Sequence, residues 1–400
     1  MTRYLVYTPL APGHVFPLVP GLLALLDRGH QVEVVTAPGL VPVLTAAGIA
    51  ATSADERLVK LKADAVARGE KDSIQAQLRR GGLERDDLTR HIERVAPHAL
   101  LVDINTYGAQ VAAEASGLPW ARTLPSLLPF PGRGIPPYGP GLRPRRGPLG
   151  AVRDAGLWRV VKRAFDKVIL PDLNRLRAES GLPPHRSAID QLLSADRLIV
   201  LTDEPLEYPR TDAPATVRFV GSEPWDPPSG RLEWLDEPGD PWVLVTCSTD
   251  FLDDQSLAAT AVDALRDLPV RVLVTLADAY DAASLPAAPN VRVERFVPHA
   301  QVLPQAAAVV SPSGMGIVGK AHAAGVPVVA VPFERDQHEV ARRVSEAGLG
   351  VVLPAKRLRA DRLRSAVVEA ISMTVPRGRT AGNASRFADA AEEIGALCPH

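Results

Sequence analysis

His14 is the first residue whose type and position suggest chemistry. It stands in Pro12-Gly13-His14, directly after the apolar run Tyr4-Leu5-Val6-Tyr7, which reads as a buried strand. That places it in a loop at the strand's carboxyl end, the edge where parallel α/β sheets bind ligands. Neutral imidazole, with an ordinary pKa near about 6.5, takes a proton from a hydroxyl at neutral pH. The same residue could instead cap the helix that begins near Leu18. Asp103 closes a second apolar run, Ala99-Leu100-Leu101-Val102. A carboxylate there could hold the imidazolium of His14 as an Asp–His pair does. It could equally be an N-cap for the next helix, a role Asn105 could also fill.

The third chemical segment lies late in the chain. Val309-Val310-Ser311-Pro312-Ser313-Gly314-Met315-Gly316-Ile317-Val318-Gly319-Lys320 follows an apolar strand and opens a helix. Gly314, Gly316 and Gly319 spell G-x-G-x-x-G, and Glu334 follows about 20 residues after the first glycine, as in a dinucleotide fingerprint. The physical content is narrower: small residues at a helix N-terminus let backbone N–H groups approach an anion, most often a phosphate. This supports a nucleotide ligand without choosing between NAD and a nucleotide-sugar, and a ligand-free glycine turn is the plain alternative. Phe296-Val297-Pro298-His299 precedes this segment, and Pro332-Phe333-Glu334-Arg335-Asp336-Gln337 follows it.

Positioning these groups requires an alternation of strands and helices. Strands are expected at Tyr4–Tyr7, Gln31–Val35, Ala99–Val102, Trp242–Thr246, Val270–Leu276, Val291–Phe296, Ala308–Val310 and Val328–Val331. Helices are expected at Leu18–Arg28, stopping at Gly29, at Ala109–Ser116, stopping at Gly117, and at Ala360–Ser372. Strand–helix–strand at this spacing implies parallel pairing through crossover helices. The pattern breaks twice. Leu124–Gly150 is too rich in proline for a regular element and reads as a long loop. Gly221–Gly239 reads as an interdomain linker. The cationic run from Arg143 through Lys167 reads chiefly as a solvated helix face, and Asp55–Asp87 as a helix–loop–helix with mobile parts. The expected division is a first domain at 1–220, a linker at 221–240, a second domain at 241–375, and a C-terminal helix at 376–400 returning toward the first domain.

Composition fits two such halves. The chain has 400 residues, 46% of them apolar, and a net charge of −1. That balance disfavours a general nucleic-acid binder. Two cysteines, Cys247 and Cys398, make neither a disulfide framework nor a four-cysteine zinc site. No metal or cofactor is expected. No apolar run is long enough for a membrane span, and the N-terminus lacks a signal-peptide core, so the default expectation is a cytoplasmic protein.

At these residues the sequence resembles the bacterial natural-product glycosyltransferases of glycosyltransferase family 1. The resemblance runs through Pro12-Gly13-His14, Gly29-His30, Pro136-Pro137-Tyr138-Gly139-Pro140-Gly141, Phe219-Val220-Gly221, Phe296–His299 and Asp336-Gln337, and so spans the chain. It implies the GT-B fold: α/β, two Rossmann-like doubly wound parallel-sheet domains facing across a cleft, 1–220 binding the acceptor and 241–375 the donor, with Asp55–Asp87 ordering when acceptor binds. It implies an inverting transfer of a sugar from a nucleoside diphosphate to a hydroxyl of an apolar aglycon, polyketide-like or aromatic. His14 would be the general base and Asp103 its orienting carboxylate. Phe296 would stack on the nucleobase and the backbone of Val297 would pair with its edge. Ser248, Thr249 and the backbone around Ser313, Gly314, Met315 and Gly316 would hold the diphosphate. Asp336 and Gln337 would bind sugar hydroxyls. Phe16, Pro129, Phe130 and Tyr138 are candidates for the acceptor pocket. The partners implied are the sugar donor and a hydrophobic acceptor, in a monomer or homodimer.

The chain departs from the family pattern at several places. Pro312 stands where a phosphate-binding histidine is usual, Ile317 replaces a hydroxyl residue and Val340 an asparagine. Lys320 replaces a glutamate that takes ribose hydroxyls. A carboxylate placed for a 2′-hydroxyl would be left unpaired by a 2′-deoxynucleoside, so Lys320 points to a dTDP-sugar. Two other functions compete: a degenerate GT-B auxiliary protein, and an NAD-dependent oxidoreductase built on Gly314–Gly319.

Overall fold

The computed structural model describes residues 1–68, 73–202, 204–221, 224–247, 255–276, 285–378 and 385–398. They form two parallel sheets. The first contains β1 (Arg3–Tyr7), β2 (Gln31–Thr36), β3 (Ala50–Ser53), β4 (Ala99–Asp103), β5 (Trp120–Leu124), β6 (Arg197–Val200) and β7 (Val217–Phe219), in the order β3-β2-β1-β4-β5-β6-β7. The second contains β8 (Trp242–Thr246), β9 (Arg271–Thr275), β10 (Val291–Glu294), β11 (Ala306–Ser311), β12 (Val328–Ala330) and β13 (Gly350–Val352), in the order β10-β9-β8-β11-β12-β13. Each order reverses direction once, between β1 and β4 and between β8 and β11. At such a reversal the flanking loops diverge and leave a crevice at the carboxyl edge.

Alternation along the strands explains why both faces of each sheet are covered. Tyr4 and Val6 point into a core with Leu22, Leu25 and Val34, while Leu5 and Tyr7 join Val35, Leu100, Val102 and Ala109 on the opposite face. The second sheet divides likewise, Val243 and Val245 on one side, Leu244 and Val309 on the other. The first core also takes in Ala390, Ala391 and Ile394 from the helix Ser385–Gly395, and Arg218 reaches Glu393 at 3.0 Å. The end of the chain therefore packs on the first sheet's side of the molecule.

Several elements differ from expectation. The proline-rich segment ends earlier, because Pro148 occupies the first turn of a 32-residue helix, Pro148–Glu179, where its missing N–H is harmless. Asp55–Asp87 does form two helices, Glu56–Ala67 and Ile74–Val95, with residues 69–72 of the connection outside the described residues. One face of the second is buried, with Leu78, Glu84, Asp87 and Leu88 turned inward. Gly81 meets Gly108 so closely that a Cβ on Gly108 would lie 1.7 Å from the Gly81 carbonyl oxygen, and Glu84 accepts the Gly108 N–H at 3.1 Å. This locks the helix Tyr107–Ser116, and with it the turn after Asp103, onto the long helix behind it.

Candidate active site

His14 lies in the short helix Pro12–Val15, not in an open loop. Pro12 sits in its first turn, and the chain passes through a 3-10 turn, Phe16–Leu18, before the helix Val19–Asp27 begins. The residue therefore caps nothing in the later helix. Tyr7 pairs with Val102, so the turn after β1 and the last residue of β4 emerge side by side at the sheet's reversal. There His14 Nδ1 lies 2.9 Å from Asp103 Oδ2, with the histidine side chain 24% exposed and the aspartate fully buried.

The aspartate is fixed from several directions. Asp103 Oδ1 accepts the backbone N–H of Asn105 at 2.8 Å, and the Asp103 carbonyl accepts from Thr106 Oγ1 at 2.8 Å and Gln110 Nε2 at 2.9 Å. Gln110 Oε1 in turn accepts from Gln191 Nε2 and from Arg122, a fully buried guanidinium that burial pushes down to about 9. Neither Asp103 nor Asn105 is the N-cap of the next helix; Thr106 holds that position without a side-chain bond. With Nδ1–H donated to Asp103, the lone pair of His14 resides on Nε2, and the amide of Asn105 donates to it at 3.2 Å. From sequence Asn105 reads only as a cap. Its contact with the basic nitrogen depends on the β4 turn and left no signal in spacing.

On the second sheet the glycine segment takes its expected form. β11 ends at Ser311, and the helix Met315–Ala324 starts with Gly314 as a cap that supplies no side chain. Ser313 holds φ +75 and is fully buried, its N–H donating to Ser311 Oγ at 3.2 Å. Gly314 and Gly316 are exposed, and a Cβ on either would meet nothing within 4 Å. No side chain caps the first-turn N–H groups, and the positive end of the helix dipole lies behind them. Phe296 is 51% exposed, whereas Val297 is buried in the second core. Ser248 and Thr249 lie outside the described residues.

The two edges face each other and are tied together. Ser126, just past β5, donates to Asp336 Oδ2 at 2.9 Å. Gln337 is buried, its Oε1 accepting from the N–H groups of Phe333 and Glu334, which leaves only its NH2 to offer. The proline-rich loop crosses over: Gly141, at φ +62, donates its N–H to Glu339 at 3.2 Å and accepts from Arg342 at 2.9 Å. A Cβ on Gly141 would stand 2.3 Å from the His338 carbonyl, so the crossing needs glycine. Tyr138 packs against the second-domain core, and burial beside Asp336 raises its pKa well above the usual value. Phe130 packs under β5 and β6, and Phe16 meets Trp225 of the linker edge-on, with ring centroids 5.1 Å apart.

Lys320 and His299 also acquire positions. Lys320 is ion-paired with Asp226 of the linker, whose other oxygen accepts the Ala300 N–H at 2.8 Å. A glutamate at 320 would have met that carboxylate as a like charge. His299 lies beside this pair, pushed down to about 4 by burial first and the Lys320 cation second, with Asp226 opposing. The folded chain therefore binds fewer protons than the unfolded one between about 6.5 and about 4, so stability is held above that window and lost as pH falls through it. Urea unfolding across this range is expected to show the decline, with a flatter profile for His299→Gln.

Among the described residues no group of histidine, cysteine, aspartate or glutamate side chains could hold a metal ion, and no helix is long and apolar enough to cross a membrane.

Two doubly wound sheets whose carboxyl edges meet, one carrying an Asp–His pair and the other an open helix N-terminus, define a GT-B protein. The model of the erythromycin biosynthesis protein CIII-like C-terminal domain matches residues 259–392. The 4'-demethylrebeccamycin synthase of Lentzea aerocolonigenes is 33% identical over 395 residues, covering 91% of this chain and 90% of that protein. The calicheamicin glycosyltransferase CalG4 superposes with a TM-score of 0.67 at 21% identity, over 99% of this chain and 95% of that one. The glycosyltransferase VinC, solved in complex with dTDP, superposes at 0.64 and 26% identity, over 99% and 96%. The chain belongs to the natural-product glycosyltransferases of the antibiotic type, and with that the oxidoreductase reading falls.

Proposed function

We propose that this enzyme moves a deoxysugar from dTDP to a hydroxyl of an apolar natural-product aglycon, with inversion at the anomeric carbon. The observation that carries the reading is the 2.9 Å His14–Asp103 pair facing the uncapped helix at Gly314–Gly316. The acceptor hydroxyl displaces Asn105 from His14 Nε2 and gives up its proton there. Its oxygen forms the new bond to the anomeric carbon as the bond to the diphosphate oxygen breaks, and the electron pair leaves with the diphosphate. Asp103 holds the resulting imidazolium through Nδ1–H. The helix N–H groups and dipole take up the charge on the leaving phosphate, with Ser248 and Thr249 as further donors. Phe296 and the backbone of Val297 receive the thymine ring, Asp336 and Gln337 the sugar hydroxyls. Phe16, Pro129, Phe130 and Tyr138 line the acceptor side. One base acting on one nucleophile from the face opposite the leaving group gives inversion.

The choice of dTDP rests on position 320. No free carboxylate stands there for a ribose 2′-hydroxyl, since Lys320 is engaged with Asp226. The dTDP bound to the related VinC supports the same choice. Competition binding is expected to favour dTDP over UDP by about tenfold, the scale of one hydrogen bond. A clear preference for UDP overturns this donor.

A further inference from the structure

The helix Pro148–Glu179 carries a feature that glycosyl transfer does not use. Leu149 is 85% exposed, Val152 73% and Val160 62%, with Leu157, Phe165 and Val168 also exposed on its first half. At 1.5 Å per residue this stretch runs for roughly 30 Å. The same segment is strongly cationic. Between residues 143 and 168 stand eight arginines and lysines against two aspartates, Asp154 and Asp166, in a chain of net charge −1. Both aspartates are engaged with their neighbours Arg153 and Lys162, and Arg143 lies 3.4 Å from Glu346. Arg145, Arg146, Arg159, Arg163 and Lys167 are exposed, and none has a partner among the described residues.

We infer that this face docks on an anionic lipid surface. The arrangement of charge selects the occupant. Arginine is common in protein–protein interfaces, but lysine and runs of uncompensated charge are depleted from their cores. Here Arg159, Arg163 and Lys167 lie within the apolar stripe itself, at helical spacing from Val152, Val160 and Leu149. A bilayer boundary accepts that mixture, because apolar side chains enter the acyl edge while arginine and lysine extend to lipid phosphates. A second copy of the chain fits poorly: a two-fold contact would set these cations against themselves. The face is held rigid from beneath, Trp158 donating its indole N–H to the Ile135 carbonyl at 3.0 Å. Ile135 belongs to the proline-rich loop that continues into Tyr138, so a docked helix places that loop next to the membrane, where an apolar compound concentrates. The surface is separate from the reaction centre, so its failure leaves the transfer reaction untouched.

Vesicle co-sedimentation of the full chain tests this, with phosphatidylcholine alone and mixed with phosphatidylglycerol. The expected result is binding to the anionic vesicles only, weakened by salt. The variants Leu149→Glu/Val152→Glu/Val160→Glu and Arg159→Ser/Arg163→Ser/Lys167→Ser are each expected to lose at least about tenfold in partitioning. Both should keep the parent's thermal unfolding and its turnover of an acceptor supplied in solution. Failure of the parent to bind anionic vesicles, or equal binding by parent and both variants, overturns the inference. So does a parent that ignores vesicles but is a dimer in sedimentation velocity which the triple glutamate variant splits, since the occupant is then a second copy.

Discussion

In the His14→Ala enzyme, kcat falls by about 10²- to 10⁴-fold while the donor KM stays within about twofold. The direction follows from where the residue stands. Its ring touches Asp103 and Asn105 on the first sheet, and the groups proposed to bind the donor lie on the second. The substitution removes the proton acceptor without altering the diphosphate site. Stability should change little, because the His14 side chain is partly open to solvent and its helix is held by Pro12 and the buried Val15. Asp103→Asn is the companion: an amide can donate to Nδ1 and stabilise the wrong tautomer, so kcat is expected to fall comparably without loss of fold. Steady-state kinetics on both variants checks this. A His14→Ala enzyme with parental kcat would remove the base from the mechanism, and an inactive parent would return weight to a degenerate auxiliary role.

The second large effect is expected at the helix N-terminus. Gly316→Asp should raise the donor dissociation constant by about 100-fold or more, because a carboxylate then occupies the field meant for the diphosphate. The space around Gly316 is open, so the side chain enters without a clash. Gly316 is the second residue of the helix Met315–Ala324, where an acidic side chain favours the helix by about 0.3–1 kcal/mol. Binding should therefore collapse while the unfolding temperature holds or rises. That opposition separates a ligand site from a glycine needed only for packing. Calorimetric titration with dTDP and a thermal scan read the two effects; a variant that binds dTDP as the parent does would move the diphosphate elsewhere.

The legible parts of this protein were those written in local sequence. The glycine segment could be read as a strand end, a turn and a helix start because all three lie within a few residues. The strands flanking His14 and Asp103 could be read because both are continuous buried apolar runs. Strands such as Ala50–Ser53 and Val217–Phe219 are hard to see in the sequence because they are short and lie at the sheet's edges, the first carrying small or polar residues and the second only three residues. The short helix under His14 was hidden by Pro12 and Gly13, which look like loop residues until the proline is seen in a first helical turn. The pairing of Lys320 with Asp226 joins residues 94 positions apart through the linker, and no spacing argument reaches that far. The crossing of Gly141 onto the second domain is equally non-local: the prolines forecast a loop, and only the fold shows where it goes.

The most direct test of the central claim is the anomeric configuration of the product. The His14 base and the diphosphate helix stand on opposite edges of one cleft, which allows a single displacement. Turnover of an α-linked dTDP-deoxysugar with a hydroxylated aromatic or polyketide acceptor, followed by proton NMR of the purified glycoside, should show the β-linked product alone. An α-linked product would mean a second displacement or a different nucleophile, and would contradict the account.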